Sequence, residues 1–566
     1  MRRPKAEADM YDLIIRDVML IDGSGSPAMP ADVAVSDGKI SEIGRISAAA
    51  RETMDAGGLA LAPGIVDIHT HYDAQLTWEA RCSPSPSLGV TTVVVGNCGF
   101  GIAPNTPETR ETLMRNLSEV EGMSLTALRA GIDWGFTGFG DYLEMLVKRG
   151  VVPNVAAFAC HSSIRVAVLG DEASERAATP DEEAEMAAIL RDALAAGAVG
   201  FASSTFENHN GYGGVPMPSR LADESEFERL IDELGNAGRG VFMITAGKRT
   251  TIDTLAGYAR RSGRPMVYAP LLHNDQVPEL TRDLLADCRK ARENGQHVYA
   301  QVSCQPLSMN FTLDYAYPFY MVEPWGTLPI DKPDALRAAF ADPSFRSKIR
   351  ESLAAPVGGR LFNGDWTRVE VAVSPDHAEM EGRTIAELAK AQSADPVDRF
   401  FDIALSEDLA TVFNAKLLNV AEDSVAELLH HPDSLISLSD AGAHLTFMCD
   451  AGFGLHLLGR WVRERGDFDL PEAVRQITSR PAEIYGIRDR GRLAVGAWAD
   501  MVLFDPATVG ISASERVDDL PAGETRLLRK PKGVHGVWVN GVQVHDGADY
   551  CESDQPPGRV LTDFAA

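Results

Sequence analysis

Segments with the pattern of buried strands alternate with amphipathic helices through the middle of this chain of 566 residues. In the clearest repeat, Thr179–Glu182 is a capping box with proline at the first helical position, and apolar residues then recur with the period of a helix. Gly197 ends that helix, and residues 198–204 follow as an apolar strand. The same order recurs with strands near residues 240–245, 265–272 and 297–302. This alternation predicts a parallel β-sheet that is covered by helices.

Four more apolar segments, at residues 65–71, 91–95, 155–160 and 435–439, bring the number of predicted parallel strands to about eight. The sequence therefore predicts the α/β class, in the form of a (β/α)8 TIM-like barrel. A doubly wound sheet is the alternative, but no Gly-x-Gly-x-x-Gly fingerprint opens a helix after one of these strands.

Both ends of the chain contain short strand-like segments separated by turns, and we predict that they form one small β-sandwich domain built from both chain termini. Between residues 306 and 431 the alternation fails. An insertion of this length is expected near the barrel mouth as a lid or subdomain, and a surface excursion with its own core is the alternative. The predicted segments are 1–60 and 491–566 for the β domain, 61–305 and 432–490 for the barrel, and 306–431 for the insertion and barrel helices.

The charge of the chain restricts its partners. With 53 basic and 81 acidic residues, its net charge is −28, so the basic patches that bind nucleic acid or an anionic membrane are not expected.

The seven cysteines are scattered without a Cys-x-x-Cys motif, which argues against a disulfide framework or a zinc ribbon. No signal-peptide-like stretch follows the N-terminus, and no run approaches the roughly 18 apolar residues of a membrane span. We expect a cytoplasmic protein with a small-molecule partner, and the sequence leaves room for a homo-oligomer.

Polar residues follow several of the predicted strands, at the end where parallel barrels carry their reactive groups. His69 and His71 follow the first strand, Cys98 the second, His161 the third, His273 the sixth and Asp440 the last. His69 and His71 are two positions apart, so in an extended chain their side chains point the same way and could hold one metal ion. A set of imidazole, thiolate and carboxylate donors suits zinc.

Each of these residues also has a structural interpretation. The two histidines could be core residues bonded to backbone carbonyls. Cys98 could be a buried apolar thiol, which is the usual state of a free cysteine, and Asp440 could cap a helix. His161 could be a structural histidine, or it could support a metal ligand from outside the coordination sphere.

The motifs resemble those of a known family. Ile68-His-Thr-His, Gly96-Asn-Cys-Gly, Cys160-His-Ser-Ser-Ile-Arg and Ser439-Asp-Ala-Gly-Ala-His are similar to motifs of the metal-dependent amidohydrolase superfamily. The segment from Thr478 to Asp500 adds to the likeness, which covers most of the chain. Within the superfamily, Gly-Asn-Cys-Gly resembles the N-acyl-D-amino-acid deacylase branch, which is D-aminoacylase-like.

This resemblance implies a function and a set of site residues. It implies that His69, His71 and Cys98 are metal ligands and that Asp440 is both a ligand and the general acid/base. The implied enzyme hydrolyses a linear C–N amide bond, deacylating an N-acyl (D-)amino acid or a related amide through a metal-activated water. A cyclic amide hydrolase of the hydantoinase or dihydropyrimidinase kind is one alternative, and a scaffold without catalytic activity is another.

The chain also departs from the branch. The branch places a histidine at the end of the fifth strand and another at the end of the sixth, to hold a tighter metal site. Here Thr245 and Pro270 stand at those positions, and His273 comes three residues late. We therefore expect one zinc ion, with His273 as a second-metal ligand in the alternative that two bind. Lys248 could instead be carbamylated as a bridging ligand, but Cys98 would then be redundant.

The substrate-binding residues stay unassigned. A substrate carboxylate is best held by an arginine or a lysine. The candidates near the predicted barrel mouth are Lys248, Arg249, Arg220 and Arg460, together with Tyr212 and His444.

Overall fold

Eight parallel strands form the central sheet, and they lie side by side in chain order. The computed structural model describes residues 10–329, 332–354, 357 and 360–566, so the first nine residues of the predicted 1–60 segment lie outside the described residues. The strands are Ile65–Asp67, Val90–Val95, Asn154–Cys160, Gly200–Ser204, Val241–Thr245, Met266–Leu271, Val298–Val302 and Ser434–Ile436. The predicted α/β class is confirmed.

Helices separate these strands and cover the sheet. They are Arg110–Val120, Leu125–Gly131, Phe139–Arg149, His161–Leu169, Pro180–Ala196, Glu224–Ala237, Ile252–Ser262, Glu279–Glu293 and Glu422–Leu429, with Phe453–His456, Leu457–Glu464, Leu470–Ile477 and Ser479–Ile484 after the eighth strand. The predicted capping box is present, because the Thr179 hydroxyl accepts from the Glu182 amide and the Glu182 carboxylate accepts from the Thr179 amide.

The first and eighth strands approach each other at their C-terminal ends, and the sheet curves as a half-barrel. Thr70 and Ala441 form a single parallel bridge. The His71 amide donates to the Ala441 carbonyl at 2.8 Å, and the Ser439 hydroxyl donates to the His69 carbonyl at 3.1 Å. These contacts bring residues that follow the two outermost strands into one place.

Strands from both ends of the chain meet in a second, mixed sheet. The strands from the two ends are joined where Ala60–Pro63 pairs antiparallel with Met501–Phe504. The other strands of this sheet are Tyr11–Leu20, Met29–Ser36, Lys39–Gly44, Ala50–Asp55, Val534–Val539 and Val542–His545. The predicted β-sandwich is not confirmed, because these strands are hydrogen-bonded into one sheet.

Residues between the seventh and eighth parallel strands form a unit with its own core. Its antiparallel sheet has the order Leu307–Phe311, Val412–Leu418, Val369–Val373. Its helices are Pro333–Ala341, Pro343–Leu353, Ile385–Ala391 and Pro396–Ser406. Aromatic side chains such as Phe319, Trp325 and Phe400 stack inside it and are almost fully buried.

The remaining strands form two short antiparallel pairs. These are Gly510–Ile511 with Pro531–Lys532, and Glu515–Val517 with Arg526–Leu528. Among the residues that the structure describes, we find no helix with the length and apolar character needed to cross a membrane.

Candidate metal centre

Four donor groups converge beyond the C-terminal ends of the first, second and eighth parallel strands. The Nε2 atom of His69 lies 3.5 Å from the Sγ atom of Cys98 and 3.1 Å from the Oδ1 atom of Asp440. The Nε2 atom of His71 lies 3.6 Å from the same Oδ1 atom. The donor atoms of His69, His71 and Cys98 all lie within 4.8 Å of one another. The structure thus brings together the four residues for which the sequence suggested metal binding.

Local backbone conformations aim these side chains. Cys98 and Asp440 have φ angles of +58° and +44°, in the left-handed region that costs most non-glycine residues roughly 1–3 kcal/mol. Gly442 also has a positive φ, and a Cβ atom there would lie 2.7 Å from the His71 carbonyl carbon. Only glycine therefore lets the Asp440 loop approach the histidine segment so closely.

Each metal-facing imidazole has an oxygen acceptor beside its other nitrogen. The Nδ1 atom of His69 lies 2.6 Å from Gln301 Oε1, and the Nδ1 atom of His71 lies 3.3 Å from Glu121 Oε1. The oxygen at Nδ1 of His69 favours a proton there, so its Nε2 atom faces the cluster. The Nδ1 atom of His71 and Glu121 Oε1 make this contact without hydrogen-bond geometry, and the Nε2 atom of His71 also faces Asp440.

Sequence reasoning missed Gln301 and Glu121. Gln301 is a buried amide inside the otherwise apolar strand Val298–Val302, and that contrast is the signal that could have identified it. Glu121 follows the helix Arg110–Val120, where a glutamate carries no special pattern. Its carboxylate is nevertheless only 2% exposed.

The charges of the cluster act on one another. Burial opposes ionisation of Asp440, but His69 and His71 hold the pKa of its carboxyl well below its ordinary value. Burial also opposes the charged form of His69, but Asp440 and Cys98 raise its pKa well above the usual value. Burial lowers the pKa of His71 to about 4 and raises that of the Cys98 thiol. Asp440 is therefore a carboxylate at neutral pH, and His71 is a neutral imidazole.

Two further histidines lie close to this cluster. His444 follows Asp440 in the same loop, and its Nε2 atom lies 3.8 Å from Glu121 Oε2. Sequence reasoning missed His209. Its Nδ1 atom lies 2.8 Å from the Ser204 hydroxyl oxygen, and its ring packs edge-on against Phe100. Burial and the neighbouring His444 and His71 lower the pKa of His209 to about 3, so it stays neutral.

The residues predicted either to hold a second metal or to support a ligand lie in other contacts. His161 is engaged at both ring nitrogens, by Ser203 Oγ at 2.8 Å and by Glu226 Oε1 at 2.6 Å. His273 faces Asp275, with Nε2 and Oδ1 3.2 Å apart. Lys248 is exposed, and its backbone amide donates to Glu207. None of the three is in the cluster with His69, so their metal roles stay predictions.

The residues considered for binding a substrate carboxylate lie in different contacts. Arg460 pairs with Glu422 and Glu464, and Arg249 donates to the carbonyl of Ala222. Arg220 donates to the carbonyl of His209 at 3.0 Å, which places it beside the cluster.

The donor set fits zinc. Two imidazole nitrogens, one sulfur and one carboxylate oxygen are the ligand types that Zn²⁺ takes in proteins. A divalent ion there would also favour the thiolate form of Cys98, which burial otherwise opposes.

Known proteins that are similar to this chain are amidohydrolases, as the motifs in the sequence suggest. A model of the amidohydrolase family matches residues 52–545. The N-acyl-D-glutamate deacylase of Alcaligenes xylosoxydans xylosoxydans is 28% identical to this chain, over 98% of this chain and 97% of the relative. The N-acyl-D-aspartate deacylase of the same organism is 29% identical, over 97% of this chain and 95% of the relative. The crystal structure of N-acyl-D-glutamate deacylase from Bordetella bronchiseptica, complexed with zinc and a phosphonate inhibitor, superposes with a TM-score of 0.66 at 26% identity and covers 98% of this chain and 100% of its own.

Proposed function

Because this chain belongs to the amidohydrolase family, we propose that it is a zinc-dependent deacylase that hydrolyses the amide bond of an N-acyl-D-amino acid. The chain is a hydrolase of carbon–nitrogen bonds other than peptide bonds. The substrate class, the metal and the residue roles are the parts that we propose.

One observation carries the proposal. Asp440 follows His69 and His71 by hundreds of positions, yet its Oδ1 atom lies 3.1 Å from Nε2 of His69 and 3.6 Å from Nε2 of His71. The Sγ atom of Cys98 lies 3.5 Å from Nε2 of His69. Buried polar groups that face each other with no other function would be costly to the fold. Metal binding explains their arrangement.

The residues that would hold the metal are His69, His71, Cys98 and Asp440. A zinc ion held there would supply Lewis-acid chemistry, because it would make a water more acidic and polarise the scissile carbonyl. Gln301 would hold His69 in the tautomer that binds metal, and Glu121 lies beside the corresponding nitrogen of His71.

Asp440 moves the proton in this proposal. Its Oδ1 atom faces the two imidazoles, and a quarter of its side chain is exposed. As a carboxylate it accepts a proton from the attacking water and then donates that proton to the amine nitrogen as the C–N bond breaks. One water is consumed, and a carboxylic acid and a free amino acid are released.

We propose a single zinc ion per chain. The fifth strand ends at Thr245 and the sixth contains Pro270, so neither supplies the histidine found in the branch that the chain resembles. His273 is 3% exposed and faces Asp275 instead of the cluster. The cytoplasmic location, the closed form of the (β/α)8 barrel and self-association stay predictions.

The test is a metal analysis joined to a substrate screen. Elemental analysis of the purified protein should give about one zinc per chain, and release of free amine should be followed over N-acyl-D- and N-acyl-L-amino acids. We expect turnover of D-substrates that disappears with a chelator and returns with zinc. Metal content near two would refute the single-ion proposal, and turnover that survives complete metal removal would refute metal dependence.

A further inference from the structure

We propose that Glu121 is a positioning residue of the metal centre, which fixes His71 and His444 with the two oxygens of one carboxylate. The inference rests on the proposed function for the presence of a metal, but it concerns a residue outside the four ligands. It predicts that metal affinity depends on a glutamate at the end of a helix.

The two carboxylate oxygens of Glu121 face different imidazoles. Oε1 lies 3.3 Å from Nδ1 of His71, and Oε2 lies 3.8 Å from Nε2 of His444. The far nitrogen of His71 faces Asp440 at 3.6 Å. Glu121 therefore contacts the side of His71 that is turned away from the metal donors, which is where a carboxylate orients a histidine without being a ligand itself.

The backbone supports the same pairing. The amide of His444 donates to the carbonyl of Glu121, so the two residues are joined by main chain as well as by side chain. Gly122 has a φ of +56°, and a Cβ atom there would lie 2.7 Å from the ring of Phe447 and 3.4 Å from the Cα atom of His444. The glycine allows the chain after the helix to come this close to the Asp440 loop.

Burial makes Glu121 unusual for its type. Glutamate is almost never fully buried unless it is paired, yet this side chain is 2% exposed. Within the described part of the chain, no lysine or arginine nitrogen lies within 4.0 Å of its carboxyl oxygens, and the ionisable side chains that do are the two imidazoles. A buried carboxyl group placed between two imidazoles at the metal cluster is best explained by its effect on those imidazoles.

The alternative is that Glu121 only joins the helix to the Asp440 loop. A purely structural role predicts that its replacement lowers stability and leaves metal affinity unchanged. A positioning role predicts the opposite pattern. The two are separated by measuring zinc affinity and the stability of the metal-free protein on the same variants.

The experiment uses the full chain, Glu121→Gln, and Glu119→Gln as a matched control, because Glu119 is exposed on the same helix. Zinc alone is titrated against a competing chelator, without substrate, and the unfolding midpoint of each metal-free protein is recorded. We expect Glu121→Gln to raise the zinc Kd about 10- to 100-fold, with a metal-free midpoint equal to or above that of the wild type, and Glu119→Gln to leave both unchanged.

A zinc Kd for Glu121→Gln within twofold of the wild type would overturn the inference, whatever the midpoint. Should Glu121→Gln fail to fold, Glu121→Asp serves instead, because it keeps the carboxyl group and withdraws it from both imidazoles; a weakened zinc Kd supports the inference and an unchanged one overturns it. Failure of the wild type itself to bind zinc would instead count against the proposed function.

Discussion

The Nδ1 atom of His69 lies 2.6 Å from the Oε1 atom of Gln301, so the seventh parallel strand orients a side chain that follows the first. The two residues are both buried, and they are 232 positions apart in the sequence. This contact decides which nitrogen of His69 faces the metal donors. It leads to the first prediction.

Gln301→Leu should weaken zinc binding about 10- to 100-fold, because the Nδ1 proton of His69 loses its acceptor and the imidazole loses its fixed tautomer. The unpaired buried N–H should also lower the free energy of unfolding by about 1–3 kcal/mol. Chelator competition and urea unfolding measure the two effects. Gln392→Leu, at an exposed position, is the control. Equal zinc affinities in all three proteins would show that the contact has no bearing on the metal.

Asp440→Asn should keep the fold and lose turnover. Asparagine accepts the left-handed backbone that Asp440 adopts, so the loop should be unchanged, but the amide cannot take up the proton of the attacking water. We expect the rate of amine release to fall by about 10²–10⁴-fold or more. Asp408→Asn is the matched control, since Asp408 is also left-handed and lies on the surface. Wild-type rates in Asp440→Asn would contradict the assignment of the general base.

Cys98→Ser should reduce zinc affinity and remove thiolate-to-metal absorption from the cobalt-substituted protein. Serine is a poor ligand for zinc, whereas the sulfur of Cys98 lies 3.5 Å from His69 Nε2. Cys160→Ser is the control, because Cys160 is equally buried but its thiol donates to the Gly96 carbonyl. A cobalt spectrum that is lost in Cys160→Ser and kept in Cys98→Ser would reverse the assignment.

We expect the buried carboxyl group of Asp450 to make the stability of the protein depend on pH. Burial raises the pKa of Asp450 to about 7, with Arg529 acting in the opposite direction, whereas an unfolded aspartate titrates near about 3.9. The folded protein then holds a proton between roughly pH 4 and 7 that the unfolded chain has released, so this group makes folding less favourable as pH rises through that range.

Asp450→Asn removes the titration. Its free energy of unfolding relative to the wild type should therefore increase between pH 5 and pH 8, on the order of 2–4 kcal/mol for a shift of this size. Urea unfolding of both proteins at several pH values measures the difference. Stability curves that stay parallel across that range would show that the Asp450 carboxyl titrates normally.

Local patterns predicted the parallel strands and the capping box at Thr179 because both are encoded by nearby residues. The four donors were also accessible from sequence, since each follows an apolar strand whose C-terminal end has a known place in the fold. The β-sandwich was not confirmed, because strand segments from the two chain ends do not themselves specify whether they pair in one sheet or pack as two.

Gln301, Glu121 and His209 could not be predicted from spacing. Gln301 lies 232 positions from His69, and Glu121 contacts both His71 and a loop more than 300 residues later. A glutamate after a helix or a histidine in a loop is ordinary until the partner is known. Positions that support a site through side-chain contacts therefore need the structure.

The single bridge between Thr70 and Ala441 has a consequence for how the enzyme comes into being. The segments that it joins bear His71 on one side and Asp440 on the other, so the chain must be synthesised as far as Ala441 before the last candidate donor can meet the first. A nascent chain that ends before this point carries the histidines without the carboxylate that we propose as the proton carrier. On that proposal, hydrolysis requires the contact between the segments that follow the first and eighth parallel strands.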